Sequence, residues 1–350
     1  MNKNKLYPFL VPLVAVLIAL AIASIVIILI GKNPIYAYRV MIVGAFGGAE
    51  QLANTIVKMT PLVLTGLAVG FGFRAGIFNI GAEGQMAMGA LVGAMVAMNV
   101  GFLPPFLAIP LALIFGMLAG AIWASIAGFL KAFTGAHEVI STIMLNWIAA
   151  NIAIFMVSGP LAIGSGTPKS PEVSESSKLP IILKVKATEM SIAIFIAIMV
   201  AIVMYILLEK STMGYELKGV GFNPYAAEYG GINIKKSIIL TMAISGALAG
   251  MAGIIDILGV PPNRFVGNLT GGRGFDGITI ALIGRNHPIG IIFAALLIAS
   301  LRTGSNAMQI TAQIPNDIVL IIQGIVIFLV AAERIVSTLI GYRKKRREVA

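Results

Sequence analysis

Hydrophobic and polar positions divide the chain into long oily runs parted by short polar clusters. Residues 9–31 and 84–130 carry no charged side chain. Runs of this kind match the roughly 30 Å hydrocarbon layer as helices of about 20 residues, and they lack the strict alternation of a membrane barrel. The pattern predicts helices over 8–30, 56–73, 84–100, 105–130, 138–158, 190–208, 237–257, 275–285, 288–304 and 316–333. That makes an all-α polytopic membrane protein with about ten crossings, a single transmembrane domain over 1–350. The first run is longer than the roughly 7–15-residue apolar region of a signal peptide and no small-residue cleavage site follows, so it reads as a retained helix.

Some of these runs are short for a full crossing: 59–73 between Lys58 and Arg74, 277–284 between Asp276 and Arg285, and 288–301. Each is rich in glycine or flanked by it. Short, glycine-interrupted segments at matching places in two halves mark broken helices around a midplane pathway. The stretches "FNIGAEGQMAMGALVGA" (78–94) and "GGRGFDGITIALIG" (271–284) each put one acid in a glycine-rich break before a small-residue helix. Inverted repeats over about 52–158 and 237–333 are expected. Small residues four apart, at Gly66 and Gly70, Gly89 and Gly93, Gly116 and Gly120, and Gly246 and Gly250, predict close helix packing.

Composition agrees with a bilayer. Of 350 residues 58% are hydrophobic and 11% charged, and the mean hydropathy is +0.97. There is no cysteine, which excludes disulfides and thiolate metal sites, and His137 and His287 are too few for a histidine cluster, so no metal site is expected. The net charge of +11 is spread over helix ends and forms no nucleic-acid patch. Lys3, Lys5 and the basic tail, densest in "YRKKRRE" at 342–348, put both termini in the cytoplasm. The alternation then places 211–237 inside and 159–189 outside. The outer segment, "GSGTPKSPEVSESSKLP" with Lys169, Lys178, Lys184 and Lys186, reads as a solvated loop.

Enzymatic chemistry finds no anchor. No "GxxxxGK[ST]" occurs, so any use of ATP is borrowed from a partner, and "GGRG" at 271–274 reads as a turn at a helix start. No Ser, His and acid set stands in a hydrolase context. The inner segment "STMGYELKGVGFNPYAAEYGGINIKKS" (211–237) is punctuated as a helix: Asn223 caps, Pro224 takes the first position, and Gly230 or Gly231 ends it. A helix of two turns is marginal alone, so a docking partner or the bundle must hold it; an ordinary ordered loop is the alternative.

The acids at or inside the bilayer edge are Glu83, Glu138, Asp256 and Asp276. Buried charge is costly and normally paired, and Arg74 near Glu83 and Arg273 near Asp276 are available partners. Glu138, beside His137 at a helix start, complements the helix dipole without further function. Asn146, Trp147 and Asn151 form a polar and aromatic cluster that lines a pathway in part or hydrogen-bonds between helices.

The stretches "GLAVGFGFRAGIFNIGAEGQMAMGA" (66–90), "EVISTIMLNWIA" (138–149), "TMGYELKGVGFNPYAAEYGGI" (212–232) and "GFDGITIALIGRNHPIGIIFAALL" (274–297) resemble permease subunits of bacterial ABC importers in the branched-chain amino acid, ribose and nucleoside group. Within it the likeness is closest to the larger permease of nucleoside (guanosine or purine nucleoside) importers, over about 8–333. The resemblance implies a type II-like importer fold. It also implies a second, diverged permease, a cytoplasmic ATPase that holds ATP and Mg, and an external substrate-binding lipoprotein, for which 159–189 is a docking candidate. The chain itself would bind no cofactor and would sit in a bacterial plasma membrane. The family's coupling helix falls on 222–230, within a coupling loop over 209–236. Tyr215, Glu216, Gly221, Asn223, Ala226, Ala227 and Gly230 match it, with Pro224 and Tyr229 among them, and the ATPase contact is expected there. The first-half signature falls on Asn79, Gly81, Glu83, Gly84 and Gln85, and the second on Gly274, Phe275, Asp276 and Gly277. A solute pathway is therefore expected along Phe71, Phe73, Phe78, Asn79, Glu83, Gln85, Asn146, Trp147, Asn151, Phe275 and Asp276, with the aromatics stacking on a base. A sugar or branched-chain amino acid permease is the alternative within the family. An ion-coupled secondary transporter, with Glu83 or Asp276 as coupling group, is the alternative outside it.

Overall fold

The structure, a computed structural model, describes residues 3–164, 166, 168–267, 270–315 and 317–331. The basic tail at 334–350 lies outside the described residues. Thirteen α-helices are described: α1 (Lys3–Leu29), α2 (Pro34–Phe46), α3 (Ala49–Arg74), α4 (Ala82–Asn99), α5 (Pro105–Thr134), α6 (Glu138–Ser158), α7 (Ala193–Lys210), α8 (Thr212–Phe222), α9 (Pro224–Tyr229), α10 (Ile234–Gly259), α11 (Arg273–Ile283), α12 (Pro288–Ala307) and α13 (Asp317–Ala331). Each of the ten expected runs coincides with a helix. Among the described residues six helices are long and apolar enough to cross a bilayer alone, and a seventh crossing results if the end of α1 and α2, bent by 119°, count as one. About ten crossings remain compatible with this count, which covers the described residues alone: α4 is polar at its start, α11 has 11 residues, and α13 is described over 15.

Three helical features escape the hydropathy pattern. The helix α3 begins at Ala49, well before the expected 56, since Glu50, Gln51 and Asn54 interrupt the hydropathy and not the helix. Residues 34–46 form α2, started by Asn33, whose side chain accepts from the N–H groups of Ile35 and Tyr36, with Pro34 at the first position. The helix α8 starts at Ser211, whose hydroxyl accepts from the Gly214 N–H.

The chain forms two compact units, one of residues 53–299 and one of residues 1–52 with 300–350. In the second, α2 packs along the end of α12 and the π-helical turn Met308–Ala312, where Gly44 meets Ala307 and Gly304 meets Met41. The Tyr38 hydroxyl donates to the Leu20 carbonyl at 2.6 Å and so ties α2 to α1.

The centre of residues 53–299 is α4, α5 and α10. Their backbones meet at the glycine pairs seen in the sequence. A Cβ on Gly89 would lie inside the Gly250 backbone, one on Gly120 would collide with the Gly246 carbonyl, and one on Gly253 with that of Met86. Lipid gives no hydrophobic drive for helix association, so this close van der Waals approach supplies it.

Segment 159–192 is more ordered than the solvated loop expected. The strand β1 (Lys169–Glu172) pairs antiparallel with β4 (Arg264–Val266), and β2 (Ile181–Val185) pairs with β3 (Thr188–Ser191). The Ser170 hydroxyl accepts from the Phe265 N–H, while Ser174 and Ser177 both donate to the Ala97 carbonyl. Hydroxyls that look like loop chemistry in sequence thus fasten the segment to α4 and β4. Within residues 53–299 the end of α4 lies at this sheet end, and α8 and α9 follow the far end of α7.

Candidate pathway junction and coupling segment

The break after α3 is a closed turn. Past Arg74 the Gly76 N–H donates to the Phe73 carbonyl and the Ile77 N–H to that of Gly72, with Gly76 in the left-handed region at φ 73°. Asn79 then organises the approach to α4. Its side chain and that of Gln85 exchange two hydrogen bonds, of 2.9 and 3.0 Å, and its oxygen also accepts from the Gly81 N–H. The Asn79 amide donates further to the Ser245 hydroxyl on α10, which donates to the Ala68 carbonyl of α3 at 2.6 Å. Asn79, Gln85 and the neighbouring Phe71 are enclosed in this conformation. Their hydrogen bonds cross three helices.

The start of α4 leaves N–H groups without intrahelical partners. Asn146 on α6 supplies one: its side-chain oxygen accepts from the Gly84 N–H at 2.8 Å and its amide donates to the Ile80 carbonyl. Glu83 turns the other way. Its carboxylate accepts from the N–H groups of Gly272 at 2.9 Å and Gly274 at 2.7 Å, the first turn of α11. Side-chain-free Gly274 allows this, because a Cβ there would enter the backbone of Glu83. The helix α4 runs from the junction to the sheet end, where the Ser176 hydroxyl reaches the Val100 carbonyl. The helix α11 runs to the opposite end, where the Asn286 carbonyl accepts from Arg74 Nε at 3.0 Å. Eighteen and 11 residues correspond to about 27 and 16 Å of helix, together the thickness of a bilayer with its headgroups. The N-termini of α4 and α11 therefore meet at Glu83.

Arg74 is not held by Glu83, and Asp256 and Glu138 have cationic partners. Arg74 lies 3.5 Å from Glu209 of α7 rather than against Glu83, and Glu209 also pairs with Lys218 of α8 at 3.0 Å. Arg273 pairs with Asp256 at 2.7 Å. Glu138 pairs with Lys131 at 2.6 Å. Asp276 is buried in the first turn of α11.

Around the junction Phe73 and Phe78 are in ring contact, with centroids 4.8 Å apart, and Phe78 and Phe275 are partly exposed. Trp147 and Asn151 lie on the open face of α6, and the Asn151 amide donates to the Trp147 carbonyl. Asn146 and Trp147, adjacent in sequence, thus point to opposite surroundings.

At the α8 end the expected short helix is present as α9. The Asn223 side chain accepts from the Ala226 N–H at 3.1 Å, Pro224 takes the first position, and the chain leaves through Gly230 and a left-handed Gly231. Leu217, Val220 and Ala227 are buried and anchor α8 and α9. Their outward side presents Tyr215, Phe222, Tyr225 and Tyr229, which are 74%, 90%, 83% and 97% exposed. Glu216, Ala226 and Gly230 are exposed beside them. A cluster of four exposed aromatics on short helices is the composition of a protein interface.

Residues 51–331 match the family described as branched-chain amino acid transport system / permease component. The chain belongs to this family. The permease is 37% identical to the guanosine ABC transporter permease protein NupP of Bacillus subtilis strain 168, over 98% of this chain and 99% of that one. It is 35% identical to the nucleoside ABC transporter permease protein NupB of Lactococcus lactis subsp. cremoris strain MG1363, over 98% and 96%. The glucose ABC transporter permease protein TsgB13 of Haloferax volcanii is 33% identical over 96% and 90%. No solved structure matches. The permease is accordingly a multi-pass membrane subunit of an ABC transporter, similar throughout to subunits that carry solute.

Sequence reasoning found Glu83, Asn146 and the Asn223 cap. It missed Glu209 and Ser245. Glu209 stands before Lys210 at a helix end, a usual place for a solvated charge, and Ser245 sits among small residues where a serine signals nothing but close packing.

Proposed function

We propose that the permease belongs to an ATP-driven importer of nucleosides. The observation that carries this reading is the occupied junction. Helix N-termini that meet in a membrane are sites for anionic groups, yet here the Glu83 carboxylate already accepts the first N–H groups of α11, and the Asn146 side chain accepts the Gly84 N–H at the start of α4. An amino acid would bring a second carboxylate to this spot. An uncharged solute with hydroxyls and a stackable ring brings none, and the near full-length likeness to the two nucleoside permeases supports the same solute class. Phe78 and Phe275 offer stacking surfaces beside the junction, worth about 1 to 3 kcal/mol per base. Trp147 and Asn151, exposed on α6, are further candidates for the pathway.

The exposed aromatic side of α8 and α9 is the contact for the ATPase, which holds ATP and Mg. The α8 end then faces the cytoplasm with both termini, and the sheet end faces the binding lipoprotein. A second, diverged permease completes the pore. ATP binding draws the ATPases together, α9 moves with them, and the pore opens on one side at a time. Uptake of labelled guanosine by cells expressing the complete transporter, with unlabelled purine and pyrimidine nucleosides, glucose and leucine as competitors, tests the solute. Saturable guanosine uptake with competition by nucleosides alone is expected, and absence of guanosine uptake with uptake of labelled leucine or glucose in its place rejects the reading. Charged replacements at Asn223, Ala226 and Ala227 are expected to abolish ATPase assembly.

A further inference from the structure

The turn after α3 rests directly on α8. A Cβ on Gly221 would stand 2.6 Å from the Arg74 carbonyl oxygen, 2.8 Å from the Ala75 carbonyl carbon and 2.9 Å from the Gly76 nitrogen. One on Gly76 would stand 2.9 Å from the Gly221 Cα. Two glycine backbones are therefore in van der Waals contact, with no flexible side chain between them to absorb a displacement. Arg74 clamps the same place. Its guanidinium reaches Glu209 at the end of α7 and the Asn286 carbonyl in the turn between α11 and α12, while Glu209 holds Lys218 one turn before Gly221. Beyond the turn, five residues along, Asn79 begins the network that fixes the start of α4 and, through Glu83, the start of α11.

We infer that Arg74 and Gly221 are positioning residues for transport: they make the α8–α9 segment and the pathway junction one mechanical unit, so that displacement of α9 is delivered to residues 75–83 through the Gly221–Gly76 contact. This rests on the reading of α8 and α9 as the ATPase contact and gives that contact its route to the pore. Close-packed interfaces have discrete arrangements and transmit shifts that a loose loop would dissipate. The Arg74–Glu209–Lys218 chain keeps the contact seated while α8 moves.

The absence of cysteine allows a direct test, independent of the solute. In the complete transporter, Phe78→Cys is the only thiol on this subunit, and its rate of maleimide labelling is compared without nucleotide and with ATP and vanadate. A nucleotide-dependent rate is expected, and Gly76→Ala, by wedging the turn off α8, is expected to remove the difference while ATP hydrolysis persists. Arg74→Glu should shrink the difference and Arg74→Glu with Glu209→Arg should restore it. The inference is overturned if the labelling rate ignores nucleotide, if Gly76→Ala leaves the difference intact, if hydrolysis and the difference fall in proportion, or if the charge exchange restores nothing. Guanosine uptake by the unsubstituted transporter, measured alongside, reports separately on the solute.

Discussion

Glu83 on α4 and Gly274 on α11 are joined by a 2.7 Å hydrogen bond from backbone N–H to carboxylate, and Gly272 adds a second of 2.9 Å to the same group. A side chain in the first turn of α4 thus caps the start of α11. Hydrogen bonds to charged groups contribute about 1.5–3 kcal/mol each. Glu83→Gln keeps one acceptor oxygen and is expected to lower the melting temperature of the detergent-purified protein by several degrees. Glu83→Ala leaves both N–H groups without the carboxylate and should lower it further, with uptake lost in both.

The glycine seams give a contrast that needs no assay of transport. Gly120→Ala and Gly253→Ala drive a methyl into the backbone of a neighbouring helix and should cost about 1–3 kcal/mol or more. Gly324→Ala meets open space on α13 and should be neutral or slightly stabilising, since alanine favours a helix by about 1 kcal/mol. Thermal unfolding of the three variants checks the ranking.

Asn223→Ala removes the cap of a helix with only six residues and is expected to cost about 1 kcal/mol, whereas Asn223→Ser should retain most of it. Paired with Tyr225→Ala or Tyr229→Ala, each an exposed aromatic of the kind that dominates interfaces, the loss should appear as failure to co-purify the ATPase. The fold of the membrane unit, followed by its melting temperature, should change little.

At the sheet end Lys178 bridges Glu172 and Glu175, and Arg264 joins Glu172 across the β1–β4 pair. The Lys178 hydrogen bond and charge hold the Glu172 carboxyl below its ordinary range, and the two glutamates raise the Lys178 ammonium. A lowered carboxyl contributes above its ordinary range and is lost as pH falls through its folded value. A raised ammonium contributes below its ordinary range and is lost as pH rises through its folded value. The clip should therefore be closed across neutral pH and should open below about pH 4 and above about pH 10. Hydrogen exchange of residues 169–178 against pH checks this, and Lys178→Ala should remove the plateau.

How much of this could be read from the chain varies with distance along it. The α9 helix was legible because Asn223, Pro224 and Gly230 act within one another's reach, so local chemistry suffices. Glu83 was legible as an acid in a break, but its partners are N–H groups 189 and 191 positions away, and backbone groups leave no mark in a sequence. The same holds for Arg74, whose nearest acid along the chain is not its partner in space. The ordered outer segment was hidden for a different reason. Serine and proline signal a loop, yet three serine hydroxyls here satisfy backbone groups of neighbouring elements.

The bare-backbone seams among α4, α5 and α10 also decide which parts of the molecule can move. Helices whose main chains touch cannot slip past each other without first separating, so this trio acts as a stator. The movement of a transport cycle then falls to elements without such seams, of which α7 is one: it buries only a narrow stripe, and conformational probes placed on it should report far larger excursions than any placed on the stator.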